Sequence, residues 1–367
     1  MNSKSLTIAQ WGETQIEPGE IRDLELRFSE SYSGMGVAIP VQVRRGIEPG
    51  PTIFVSAAVH GDEINGTGAI RQLIMDHSLQ LTRGGLILVP VVNVLGFERH
   101  SRYLPDRRDL NRSFPGNPKG SLTSRFANFF FEQIVGRSDF GIDLHTASIR
   151  KTNFPNVRAD LSDPRLREVT NAFGCTLTIN EGGPSGSLRR SACEADCPTF
   201  IFEAGEVWKV ESTVTEHAVR GIRNVLVSQG MIEGDMIDPP YRTVIEKTKW
   251  VRAESSGFLD FHVAPGDIVT ASSAIATTSS LLGKSREVIE SPDDGVVLGM
   301  TTIPVASPGE PVCHLGLVDL RENRIHDVVE NFPADELQQR IRDDLSTSIS
   351  IVDPDPVDEE VRPEDEE

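Results

Sequence analysis

Long apolar runs are missing from this 367-residue chain, and none is long enough to span a bilayer. The amino terminus lacks a basic segment followed by an apolar stretch, so no secretory leader is expected. Both absences lead to the expectation of a soluble cytoplasmic protein with no membrane partner. Cysteine is scarce. The four present, Cys175, Cys193, Cys197 and Cys313, form no CxxC pair and no disulfide framework. Cys193 and Cys197 are four apart, but no further soft ligand lies near them, so free thiols in or near the core are expected. Positive charge is also in deficit: 36 Lys and Arg stand against 55 Asp and Glu, a formal net charge of −19. That balance argues against nucleic acid as a partner, because such partners select basic faces. Part of the excess is local. Asp353 to Glu367 holds nine acidic residues, one arginine and three prolines, and reads as a solvated disordered tail.

Against this background, four stretches read as buried β-strands, each leading to a residue that can bind a metal or move a proton. Thr52 to Val59 runs into His60-Gly-Asp-Glu63. Leu86 to Asn93 leads to Arg102 and then Asp109-Leu-Asn-Arg112. Phe140-Gly-Ile-Asp-Leu-His145 ends in histidine, and Thr199-Phe-Ile-Phe-Glu203 ends in glutamate. Ligands of open α/β sheets bind beyond the carboxyl ends of the strands, so the four ends point to one assembled site.

The rest of the chain organises around these strands. Residues 1 to about 50 read as an N-terminal β segment, with alternation in Leu24 to Phe28 and a proline-bearing strand from Val37 to Val43. From 51 to about 230 strands alternate with helical patterns over Ile64–Leu79, Thr123–Val135, Asp163 to Gly174 and Ser212–Gly230. Asp163-Pro164 supplies a cap followed by proline at the first helical position. Such alternation predicts an α/β fold with a mostly parallel mixed sheet flanked by helices. After Asp238-Pro-Pro240 the texture changes to short β runs between glycine turns, predicting a small all-β domain. The expected division is residues 1–238, 239–331 and 332–367, the last holding a short helix from Asp335 to Leu345 and the acidic tail.

His60 and Glu63 stand in the order His-x-x-Glu at a strand end, where both side chains can reach one ion. Two imidazoles and one carboxylate make a common catalytic zinc set with a fourth position left open. His145 is the natural third ligand. Glu203 is the candidate base, in Phe-Ile-Phe-Glu-Ala-Gly, where its apolar neighbours are expected to desolvate it; the alternative is a structural carboxylate pairing an arginine. Asp143, two residues before His145, faces the same side of its strand; it can orient a ligand histidine or cap a neighbouring loop. The second-strand loop carries Arg99, Arg102, Arg107, Arg108 and Arg112. In so acidic a chain this is a local positive focus that suits a small anionic substrate.

The phrases His60-Gly-Asp-Glu63, Ser101-Arg-Tyr103, Asp109-Leu-Asn-Arg112 with Phe114-Pro-Gly116, Asp143-Leu-His145 and Phe202-Glu-Ala-Gly205 resemble the succinylglutamate desuccinylase/aspartoacylase family, itself similar to zinc carboxypeptidases. The resemblance implies hydrolysis of the amide of an N-acyl amino acid, with one zinc per chain held by His60, Glu63 and His145. By the same resemblance Glu203 is the proton shuttle, Arg102 polarises the acyl carbonyl, and Asn111 with Arg112 holds the α-carboxylate. Arg189 or Arg190 would fill the place of a further substrate-binding arginine. The arginine-rich loop is similar to bacterial relatives that include N-acetyl-diaminobutyrate deacetylases. The C-terminal β stretch resembles a lipoyl-like barrel-sandwich hybrid, but its turn Pro292-Asp-Asp-Gly295 lacks the lysine of a carrier. An unmodified domain that walls the site is therefore expected. The rival readings are a zinc metallocarboxypeptidase acting on peptides and a non-enzymatic carrier or binding protein. The sequence leaves open a homo-oligomer.

Overall fold

The computed structural model describes residues 7–30, 36–283, 286–318, 336–347, 349 and 351–352. The expected acidic tail from Asp353 onward lies outside the described residues. At the centre are strands Glu48–Ala57 and Phe140–His145, paired in parallel. Ile53, Val55 and Ala57 join one buried cluster while Phe54 joins another, as the two-residue period of a strand buried on both faces requires. Helices Asn65–Met75, Pro164–Phe173 and Ser212–Ser228 cover the first face through Leu73, Phe173 and Val225. Helices Leu122–Gln133 and Leu188–Glu194 cover the second through Phe126, Phe130 and Leu188. The helix opened by Pro164 begins and ends on local chemistry. Asp163 accepts from the Arg165 amide, and Gly174 closes the helix at φ 79°, a left-handed setting in which glycine has no Cβ to strain.

The expectation of a mostly parallel sheet is not met. Parallel pairing joins Phe140–His145 to Thr199–Gly205 and to Glu48–Ala57, Glu48–Ala57 to Arg83–Val89, and the short Leu177–Asn180 to its two neighbours. The remaining ladders of this thirteen-stranded sheet are antiparallel. The reason lies at both flanks. On one side the N-terminal strands Ile21–Glu30 and Gly36–Arg45 add a hairpin beyond Arg83–Val89. On the other, Lys151–Ala159 follows Phe140–His145 without an intervening helix and runs back antiparallel to Thr199–Gly205. The large sheet is thus mixed and flanked by helices.

The β-rich stretch after residue 240 divides between two sheets. Gly295–Thr301, Pro311–Leu317 and Lys247–Arg252 extend the large sheet through the pairing of Gly299 with Asn153. Gly257–Phe261, Ala274–Ser279, Arg286–Glu290 and Val305–Ala306 form a separate four-stranded sheet. The last described helix, Glu336–Thr347, buries Leu337, Ile341 and Leu345 against Phe154, Leu177 and Ile245. Cys175, Cys197 and Cys313 are buried and Cys193 is half-buried, and none of the four is in a disulfide. No described helix is long and apolar enough to cross a membrane.

Candidate metal centre and substrate cleft

Strand Glu48–Ala57 stops because Ala58 turns the chain at φ 53°. A residue with a Cβ pays roughly 1–3 kcal/mol for that left-handed setting, which is tolerated where the surroundings enforce it. The turn carries His60-Gly-Asp-Glu63 along the sheet edge. Gly61 lies so close to the short helix Val94–Phe97 that a Cβ there would come within 2.2 Å of the Gly96 carbonyl carbon and the Phe97 nitrogen. The motif's glycine is thus a packing requirement that brings His60 and Glu63 into position.

His60, Glu63 and His145 are all buried and offer ligand atoms within 4.8 Å of one another. One ion at about 2 Å from each ligand requires those atoms to lie within roughly 4 Å of one another. Glu63 reaches toward both rings: its Oε1 lies 2.7 Å from His60 Nδ1 and its Oε2 2.8 Å from His145 Nδ1. The first of these contacts lacks the direction of a hydrogen bond, so His60 Nδ1 is a buried nitrogen without one. The opposite nitrogens are occupied. Asp109 Oδ1 lies 3.2 Å from His60 Nε2, and Asp143 Oδ2 lies 2.8 Å from His145 Nε2. A carboxylate behind each ring favours a proton on Nε2, which leaves Nδ1 as the nitrogen that can serve an ion, as with acceptors behind metal-ligating histidines. Of its two open readings, Asp143 takes the histidine-orienting one, and Ser56 Oγ donates to its other oxygen at 2.7 Å. The donor set and the unbonded Nδ1 fit a divalent ion of the zinc type.

Burial opposes charge on these groups, yet their mutual attraction prevails. Desolvation works to raise Glu63, but the two imidazoles hold it well below the usual carboxylate range. Burial works to lower His145, but Asp143 and Glu63 outweigh it and the net shift is strongly upward. His60 moves upward too, against burial, through Glu63 and Asp109. Because these histidines hold protons above their ordinary range when no ion is bound, protons and metal compete for the same lone pairs. The affinity of this group for a zinc ion would therefore fall as pH drops below the raised histidine range. The linkage sign for the metal-free fold is the reverse. Stability from a raised histidine is present below its unfolded value of 6.5 and is lost as pH rises through the folded one. Zinc titrations against a chelating dye from pH 6 to pH 8 test the first statement, and an affinity that stays flat contradicts it.

Eight of the residues singled out from the sequence line one cleft of about 260 Å³: His60, Glu63, Arg102, Asn111, Arg112, His145, Arg189 and Glu203. Arg102 donates to Glu63 Oε1 at 3.0 Å and to Asp109 Oδ2 at 3.2 Å, which sets its guanidinium against the ligand group. The Asn111 side-chain oxygen accepts from the Leu188 amide, so a bound molecule meets its NH2 as a donor. Arg112 is anchored by the Asn111 carbonyl at 2.6 Å. Arg189 is buried and donates to the Glu181 carbonyl and carboxylate at 3.0 and 3.1 Å. Its neighbour Arg190 instead pairs with Glu194 at the surface.

Glu203 pairs in register with His145 across the parallel ladder, which puts the two strand ends side by side. Its carboxylate does not meet the apolar setting expected from Phe200 and Phe202, whose rings pack on the helix side against Phe173. Instead Glu203 Oε2 accepts from Asn153 Nδ2 at 2.8 Å and from Arg158 Nη2 at 3.4 Å. Asn153, Arg158, Lys151 and Glu181 were not anticipated from the sequence, and neither were Trp250 and His314. The last two stack with ring centroids 4.3 Å apart and planes 6° from parallel, and Lys151 Nζ lies 4.8 Å from the Trp250 ring centre. Burial, with Arg158 and Lys151 nearby, pushes His314 down to about 3, so its imidazole is neutral. Both rings come from the C-terminal strands, which thereby wall one side of the cleft.

Comparison with known proteins agrees with this architecture. Residues 49–228 match the succinylglutamate desuccinylase/aspartoacylase catalytic domain. The N-alpha-acetyl-L-2,4-diaminobutyric acid deacetylase of Halomonas elongata is 33% identical over 270 residues, covering 69% of this chain and 78% of that protein. Among solved structures, the ectoine utilization protein EutE (DoeB) of Ruegeria pomeroyi superposes with a TM-score of 0.73 at 23% identity, over 83% of this chain and 98% of that one. A succinylglutamate desuccinylase from Silicibacter sp. TM1040 does so with the same score and identity, over 86% and 98%. The two structural likenesses speak to fold. The sequence match reaches further, and on it the chain belongs to the succinylglutamate desuccinylase/aspartoacylase family.

Proposed function

We propose that this protein is a zinc-dependent amidohydrolase that removes the acyl group from a small anionic N-acyl amino acid. The observation that carries the reading is the convergence of His60, Glu63 and His145 with Glu203 and several cationic side chains in one cleft. Zinc held by the three ligands supplies a Lewis acid that polarises an amide carbonyl and acidifies water near neutral pH. Glu203 does the proton work. Its Oε2 is taken by Asn153 and Arg158, so Oε1 is the oxygen that accepts the proton and returns it to the leaving amine nitrogen. Arg102, beside the ligand group, supports negative charge as it develops on the carbonyl oxygen. Asn111 and Arg112 hold the α-carboxylate, and Arg189 fixes the far end of the cleft.

The name of the Halomonas relative makes N-acetyl-diaminobutyrate a first substrate to try. We also read residues 1–238 as the catalytic unit and 239–331 as an unmodified β-rich part, related to a barrel-sandwich hybrid, that shields the cleft. Trp250 and His314 support that role. The test is amine release from N-acetyl-diaminobutyrate, N-acetylaspartate, N-succinylglutamate and short peptides, with and without chelator. Chelator-sensitive release from at least one N-acyl amino acid, well ahead of the peptides, is expected. Preferential peptide cleavage would convert the assignment to a carboxypeptidase, and a zinc-loaded protein that releases no amine would end the deacylase reading.

A further inference from the structure

Glu203 sits at an irregular point of its ladder. It pairs with Asn156 of the neighbouring strand, and a bulge then brings Gly205 opposite Asn153. Asn156 Nδ2 donates to the Phe154 carbonyl at 2.8 Å and to the Glu203 backbone carbonyl at 3.4 Å, contacts that hold main chain. Asn153 does something different: its Nδ2 donates to the Glu203 carboxylate itself, at 2.8 Å. Arg158 is the other donor to that oxygen, but at 3.4 Å, and its guanidinium also lies 3.7 Å from Glu181. The near partner of the carboxylate is therefore a neutral amide, only 7% exposed.

That amide is held from the other side by the C-terminal part of the chain. Asn153 pairs in register with Gly299 of strand Gly295–Thr301. A Cβ at position 299 would come 2.5 Å from Asn153 Oδ1 and 2.6 Å from the Thr152 carbonyl oxygen. The missing side chain at Gly299 is thus the room that the Asn153 amide fills, with Oδ1 toward Gly299 and Nδ2 toward Glu203. Gly299 lies outside the residues that match the family's catalytic domain.

We propose that Asn153 is a positioning residue for the proton-transferring carboxylate, and that strand Gly295–Thr301 sets it in place. The inference rests on the reading of Glu203 as the proton shuttle. By occupying Oε2, the amide removes rotational freedom from a long side chain and leaves Oε1 directed to the reacting groups, a gain that appears in turnover rather than in binding. A neutral donor does this without adding a further cation to the cleft.

The test uses the full-length zinc-loaded protein and the fastest N-acyl amino acid of the panel above. Asn153→Asp keeps the shape but replaces the donor with a second carboxylate, and Asn153→Ala removes the contact outright. Both should lower kcat by about 10- to 100-fold while KM stays within about twofold. Zinc stoichiometry and melting temperature should remain near the parent values. A double-variant cycle separates positioning from packing. Added to Glu203→Gln, Asn153→Asp should cause no further loss, because its effect passes through the carboxylate. Retention of kcat in Asn153→Asp to within about threefold, or losses that multiply in the double variant, would overturn the inference while leaving Glu203 as the base. Parental turnover in Glu203→Gln alone would instead bring down the reading of Glu203 and this inference with it.

Discussion

Exchanging Glu203 for glutamine should lower kcat by about 10²- to 10⁴-fold, the range that a positioned general base contributes. The substitution is close to isosteric, and the surroundings favour one orientation of the new amide. Asn153 Nδ2 and Arg158 Nη2 are donors that need an acceptor, so the glutamine oxygen turns to them and its NH2 faces the cleft. An NH2 there cannot take a proton. The group at His60, Glu63 and His145 does not include residue 203, so zinc content should stay near one per chain and KM should change little. Steady-state kinetics alongside elemental analysis of the purified variant decide the matter. A variant that keeps more than about a tenth of parental kcat is incompatible with a proton-shuttle role.

The second large effect is expected at His145. Its removal as alanine deletes one of three proposed ligands and takes a partner from each of two buried carboxylates. Asp143 loses the partner at 2.8 Å and keeps Ser56 Oγ, while Glu63 loses the ring opposite Oε2. Breaking a buried pair from one side costs about 3–5 kcal/mol, so the variant should melt earlier as well as lose metal. His145→Gln, which refills most of the space, separates the two consequences: it should fold nearer to the parent and still fail to retain zinc through dialysis. Activity should vanish in both, as in the parent treated with chelator. Retention of one zinc per chain by the folded glutamine variant would remove His145 from the ligand set and with it the proposed centre.

How much of this was legible in the sequence follows from strand direction. In a parallel array every carboxyl end meets the same edge, so apolar runs ending in His60, His145 and Glu203 announced their neighbourhood before any coordinates. The helix from Pro164 was equally readable, because its cap and its stopping glycine are local chemistry. Strand Lys151–Ala159 was not. It runs the other way, so its beginning brings Lys151 and Asn153 to the cleft, while Arg158 reaches in from near its end. Nothing in Lys-Thr-Asn-Phe-Pro-Asn-Val-Arg-Ala reveals that reversal, and the interior proline argues against a central strand. That reversal, together with the N-terminal hairpin and the C-terminal strands, is why the sheet is not mostly parallel. Arg189 was visible only as one of two arginines. Ser187, accepting from the Arg190 amide, caps a helix on which Arg189 is buried and Arg190 stays outside, a distinction that needs the helix start to be known. Trp250 and His314 reach the cleft through long-range pairing of the C-terminal strands, which carries no local signature.

The ladder between Gly299 and Asn153 has one more implication, for attempts to trim the protein to a minimal hydrolase. A fragment ending near Gly234 would contain every proposed ligand, the carboxylate and the arginines. It would also carry a raw flank where Lys151 to Asn153 had been hydrogen-bonded, with peptide groups open to whatever strand diffuses past. Self-association through that flank, rather than missing chemistry, would be the first obstacle to such a fragment.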